Sequence, residues 1–111
     1  MRTSKRALTW DYKMLADWSL AVKKRDGWCC VKCGSPHMLN SHHIFKRAYL
    51  NTRYDVDNGI TLCQNCHTES VGFSAHKTII KFREWLIARN GQSWYDELKR
   101  KADTISYGQS I

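Results

Sequence analysis

The chain has 111 residues and a net charge of +8, from 18 Lys and Arg against 10 Asp and Glu. At this length about two thirds of the unfolded surface is buried on folding, so one modest core over residues 1–111 is expected, and a metal staple would strengthen it. No run of 18 apolar residues occurs, and the basic start MRTSKRALTWDYK lacks the apolar stretch of a secretion signal, so a membrane span and export are both disfavoured. A cytoplasmic, intracellular protein with reduced thiols is expected. The basic balance suits a polyanion, DNA or RNA, although solubility alone also accounts for it.

Residues 9–26, TWDYKMLADWSLAVKKRD, set Leu15, Trp18 and Val22 at helical spacing, and Gly27 stands ready to stop the helix. The stretch WCCVKCGSPHMLNSHHIF, with its Gly-Ser-Pro turn, reads as a hairpin-like pair of short strands. Residues 46–59 form a polar loop closed by Asn58-Gly59, and the β-branched ITLC that follows predicts another strand. CQNCHTES can begin a helix. From Ser74 the apolar residues Ile79, Phe82 and Leu86 predict a helix ending at Gly91. Ser93 is then expected to cap a last helix carrying Trp94, Leu98 and Ala102, with Asp96 and Glu97 in its first turn. The tail TISYGQSI is expected to fray.

Cys30-x2-Cys33 and Cys63-x2-Cys66 are two pairs of equal spacing. Each turn lets two thiolates converge on one ion, and two turns complete a tetrahedral zinc site. The 29-residue spacer means that something sits between the knuckles. Other readings compete. CQNCH matches the c-type haem attachment motif, which implies export and leaves Cys30 and Cys33 unexplained. A redox pair lacks its βαβ context, and disulfides remain open. Cys29 reads as a small buried residue.

Between the knuckles lie His42, His43 and Asn58, and His67 follows Cys66 directly. In this order and spacing, DGWCCVKCG, SHHI, DNGITLC and CQNCH resemble the HNH endonuclease family in its zinc-knuckle form. The resemblance covers roughly residues 26–77. It implies an α+β fold: a small ββα-metal (His-Me finger) core over residues 28–77, stapled by the four-cysteine zinc site and flanked by the 9–26 helix and by helices over 74–103. It also implies roles. His43 matches the general base, and His42 and His67 match the two side chains that hold a catalytic divalent metal. Asn58 matches the residue that braces the loop and orients the base. An aspartate is commoner at the position of His42.

The chemistry asks for these groups in its own right. Phosphodiester hydrolysis needs a water deprotonated near neutral pH, for which imidazole is suited, and a cation to stabilise phosphoryl charge. Imidazole ligands favour Mn²⁺, Co²⁺, Ni²⁺ or Zn²⁺ over Mg²⁺, so activity with Mn²⁺ or Ni²⁺ is expected to exceed that with Mg²⁺. His37 and His76 match no role and are expected at the surface. Glu69 is a candidate for a further carboxylate near the metal.

The resemblance implies DNA as partner, cleaved to 5′-phosphate and 3′-hydroxyl ends, and it extends to small phage-borne nucleases. A monomer or weak homodimer is expected, since cutting both strands takes so small a domain either a dimer or two separate nicks. Lys46, Arg47 and Arg53 in the loop, and Lys77 beyond it, are the cations best placed for phosphate contact. The alternative is a zinc-knuckle nucleic-acid-binding module without catalysis, which needs the cysteines and the basic arms but not His43.

Overall fold

The computed structural model describes residues 5–104. Helix α1 spans Lys5–Arg25, strand β1 Leu39–His43, strand β2 Gly59–Cys63, helix α2 Ile79–Asn90 and helix α3 Gln92–Asp103. A 3-10 turn, Val56–Asn58, leads into β2, and a π-helical turn, Asn65–Glu69, follows it. β1 and β2 pair antiparallel, with Leu39 opposite Cys63 and His43 opposite Gly59. The expected α+β fold is present. Its ββα element is the β1–β2 ribbon followed by the single turn at Asn65–Glu69, shorter than the helix that CQNCHTES suggests.

α1 runs to Arg25, and Gly27 then turns the chain at φ 72°. Lys23, Lys24 and Arg25 in the last turn complement the helix dipole. Trp18 and Val22 are buried against the ribbon. The ribbon's other face carries Ile60 and Leu62, which form the core with Phe82 and Leu86 of α2 and with Cys30, Cys63 and Cys66. All five residues of β2 are buried, so this strand lies between two layers. No described helix is long and apolar enough to cross a membrane.

Three sequence expectations are revised. The first arm of the expected hairpin is a knuckle turn: Gly34 N–H donates to Cys30 O and Cys30 N–H to Ser35 O, so only Val31 N–H reaches β2, at Thr61 O. The backbone there is bent around sulfur rather than extended. Ser74 does accept a hydrogen bond from Lys77 N–H, but that bond closes a separate turn, and α2 begins only at Ile79. α3 starts at Gln92 from Gly91 (φ 99°) with no side-chain cap, because the left-handed glycine joins it directly to α2 and leaves Ser93 inside the helix. Most of the tail expected to fray lies outside the described residues.

Asp26 ties the end of α1 to β2. Its carboxylate accepts from Thr61 N–H at 2.9 Å and from the Arg25 guanidinium, which also donates to Val56 O and Gly59 O. Burial alone would raise its pKa, but the bonds from Arg25 and Thr61 outweigh it and hold the carboxyl below the usual range. This contribution is complete above the unfolded carboxyl value of about 3.9 and is lost as pH falls through the lower folded value. Asp26→Asn is expected to cost about 1–3 kcal/mol at pH 7. Urea unfolding of the zinc-loaded protein and its variant at pH 7 measures the difference.

Candidate metal centre and nuclease cleft

The sulfurs of Cys30, Cys33, Cys63 and Cys66 lie within 4.8 Å of one another, and all four are free thiols. Cys33 Sγ and Cys63 Sγ are 3.5 Å apart, near the ~3.8 Å edge of a tetrahedron with ~2.3 Å metal–sulfur bonds. The donor set therefore fits one tetrahedral ion. Burial opposes the Cys30 thiolate, yet N–H groups of Cys63, Cys33 and Lys32 outweigh it and bring the thiol down to about 7. Burial and the neighbouring sulfurs push Cys66 up, a conflict that a bound cation relieves. Cys29 stands outside the cluster, its thiol donating to Asp26 O.

A second cluster is built from His42 of β1 and the chain that follows β2. His42 Nδ1 is 3.2 Å from His67 Nε2, which is 3.0 Å from His76 Nε2. One ring nitrogen cannot satisfy two such neighbours with a single proton or lone pair. Three converging lone pairs at these separations instead suit a cation with ~2.0–2.1 Å metal–nitrogen bonds. Burial first, then His67, His76 and His43, pushes His42 down to about 3; burial also lowers His67. Both rings are therefore neutral at pH 7, the form that ligates.

His76 is the member that spacing did not reveal. It follows His67 by nine residues, and two backbone bonds, Ala75 N–H to Cys66 O and His76 N–H to His67 O, fold it back beside the π-helical turn. Three imidazoles thus converge where two ligands were expected. Glu69 adds no carboxylate there, since its side chain bonds to Gln64 and Thr68. His76→Ala is expected to weaken Mn²⁺ or Ni²⁺ binding at least about 10-fold, whereas the exposed His37→Ala leaves it unchanged. Isothermal titration on zinc-loaded protein measures both.

His42 and His43 obey the pleat. His42 points toward Phe82 of α2, while His43 stacks on Trp18 of α1. No break in the strand is needed for the two rings to share one cleft. β1 is one edge of a two-stranded ribbon, so rings from both faces reach the same open side. There His42, His43, His67 and His76 line one cleft of about 460 Å³ with Lys46, Arg47, Ser41, Ser19, Leu15 and Trp18.

His43 Nε2 is 2.9 Å from Arg53 O. A carbonyl oxygen only accepts, so Nε2 carries the proton and Nδ1 is left as the free base. Burial, opposed by that bond and aided by Arg47 and Arg53, lowers the His43 pKa and keeps the ring neutral at pH 7. Asn58 is fully buried. Its Nδ2 donates to Phe45 O and Thr52 O, and its Oδ1 accepts from Phe45 N–H, which ties both ends of the intervening loop together next to His43.

Residues 30–70 match the family model described as HNH endonuclease. This 41-residue segment, of 111 in the chain, is similar to the HNH endonuclease family. At family level the match supports nuclease activity, and the cysteine and histidine clusters are groups that could hold metal ions. The matched segment holds both knuckles, His42, His43, Asn58 and His67, whereas α1, His76, α2 and α3 lie outside it. Neither the curated proteins nor the solved structures contain a significant match to the chain.

The four expected phosphate contacts separate. Lys46 and Arg47 are exposed and line the cleft. Lys77 is exposed beside His76, its ammonium bonded to Glu69 O. Arg53 is different: its guanidinium is held by Asp11 through two bonds, at 3.0 and 2.8 Å. That cation is already paired within the fold.

Proposed function

We propose that this protein is a metal-dependent DNA endonuclease that hydrolyses phosphodiester bonds, with His43 as general base and a divalent cation held by His42, His67 and His76. The observation that carries the proposal is the sharing of one cleft by three convergent imidazole nitrogens and a fourth imidazole whose Nδ1 is free. The four-cysteine site takes structural Zn²⁺.

His43 Nδ1 accepts a proton from the attacking water, while Arg53 O holds Nε2 and stabilises the imidazolium that forms. Lys46 and Arg47 bind the phosphates on either side of the scissile bond. Asn58 keeps the backbone after His43 from shifting as DNA enters. When bound, the cation stabilises the charge that develops on the phosphoryl group and leaving oxygen. Three imidazoles strengthen the case for Mn²⁺, Co²⁺, Ni²⁺ or Zn²⁺ over Mg²⁺. The phage-borne setting rests on the family resemblance, and the monomer or weak homodimer on the small size of the domain.

The test is nicking of supercoiled plasmid across these five cations, with gel retardation in parallel. Cleavage that is greater with Mn²⁺ or Ni²⁺ than with Mg²⁺ is expected. A protein inert with every cation that still retards DNA is a non-catalytic zinc-knuckle module.

A further inference from the structure

We propose that helix α1 positions the His43 imidazole from two sides, with Trp18 stacked on its ring face and Asp11 holding the arginine whose carbonyl receives its Nε2 proton. The proposal rests on His43 being the base. It assigns a part in the reaction to a helix that lies wholly outside the HNH segment.

The first contact is a close parallel stack. The Trp18 and His43 rings lie 3.7 Å apart between centroids, at an interplanar angle of 12°. The indole is itself fixed, since its Nε1–H donates to Asp55 O at 2.8 Å. Beneath it is Gly59, the residue paired with His43 in the ribbon. A Cβ at Gly59 would clash with Val22 Cγ2 and stand 2.8 Å from Trp18 Cζ2. Only glycine lets α1 come close enough for the stack, so the Asn58-Gly59 pair does more than turn the chain.

The second contact acts through Arg53. Its guanidinium meets Asp11 in a two-bond ion pair, Tyr54 OH donates to the same carboxylate, and Arg53 Nη1 donates to Arg47 O. Residue 53 is thereby held at both side chain and backbone, and its carbonyl is the acceptor for His43 Nε2. A stack alone leaves a ring free to rotate in its plane, and a single hydrogen bond leaves it free to tilt. Together they fix the ring, with Nδ1 as the nitrogen not engaged by Arg53 O. Misplacement of a reacting group by about 1 Å can cost about 100-fold in rate. Trp18 and Asp11 are thus positioning residues, which act through the orientation of the His43 ring.

A purely structural role for these residues predicts different kinetics. Asp11→Asn breaks the ion pair and also frees the Arg53 cation beside the cleft, so DNA should bind more tightly while the chemical step slows. No simple loss of folding gives that combination.

The experiment measures steady-state nicking with Mn²⁺ for wild type, His43→Ala, Trp18→Leu, Trp18→Phe and Asp11→Asn, with a thermal melt of each. Trp18→Leu is expected to lower kcat about 100-fold with KM within about twofold, and Trp18→Phe, which keeps a flat ring, to stay within about fivefold of wild type. Asp11→Asn is expected to lower kcat about 10-fold while KM falls. In zinc-loaded protein without Mn²⁺, the His43 ring C–H proton resonances should be shifted upfield by the indole, and the shift should vanish in Trp18→Leu. Wild-type kcat in a folded Trp18→Leu and in Asp11→Asn overturns the proposal alone. If Trp18→Leu does not fold, a wild-type kcat in Asp11→Asn together with an absent upfield shift in wild type overturns it. A folded wild type inert on DNA overturns the hydrolase reading, and this proposal with it.

Discussion

Loss of the ion from the four-cysteine site should unfold the central ribbon. Structural zinc contributes roughly 10–16 kcal/mol to small zinc domains, and whole domains have net stabilities of about 5–15 kcal/mol. Here the cluster is not peripheral. Cys30, Cys63 and Cys66 are buried members of the same core as Ile60, Leu62, Phe82 and Leu86. Cys63 is also the last residue of β2, and Cys66 belongs to the turn that carries His67. Without a cation, buried sulfurs whose thiols shift in opposite directions replace a neutralised centre. Cys66→Ser, or a strong chelator, is therefore expected to abolish the cooperative thermal transition followed by circular dichroism. Re-addition of Zn²⁺ should restore it in the chelated protein only. A variant that melts as wild type does would show that the apolar core is sufficient.

His43→Ala should lower cleavage by about 10²- to 10⁴-fold, the usual share of a general base. The variant removes the ring between Trp18 and the cleft, but none of the three imidazoles that face the metal. Binding of Mn²⁺ and retention of DNA should persist, because Lys46, Arg47 and the histidine cluster are untouched. His67→Ala should fail differently, losing metal and cleavage together. These two patterns separate the base from the ligands.

The knuckles and the ordered histidines and asparagine were legible because their chemistry lies in short local spacing. Two C-x2-C turns converge on one ion wherever the intervening chain goes, and Asn58 is buried at the hinge where its place in the series puts it. Helix α1 was legible as an amphipathic pattern, as was the pairing of Leu98 and Ala102 in α3. What spacing could not show was contact across elements. His76 reaches His67 through two backbone hydrogen bonds that no periodicity encodes. Trp18 reads as an ordinary core residue of a helix, and it is buried as one; only the register of His43 against Gly59 shows what its ring covers. Arg53 looks like a free cation in a basic loop until Asp11, 42 positions earlier, is found holding it.

The alternation of a regular strand separates the adjacent imidazoles of SHHI, and the proposed reading gives each its own task. His42 turns to one face, toward His67 and His76, and His43 turns to the other face and α1, yet both open on one cleft. The measurement that tests this division most directly pairs two readouts on His43→Ala: isothermal titration of Mn²⁺ into zinc-loaded protein, and plasmid nicking at saturating Mn²⁺. The account predicts metal affinity close to wild type with cleavage lost. Lost metal affinity, or cleavage at the wild-type rate, would contradict it.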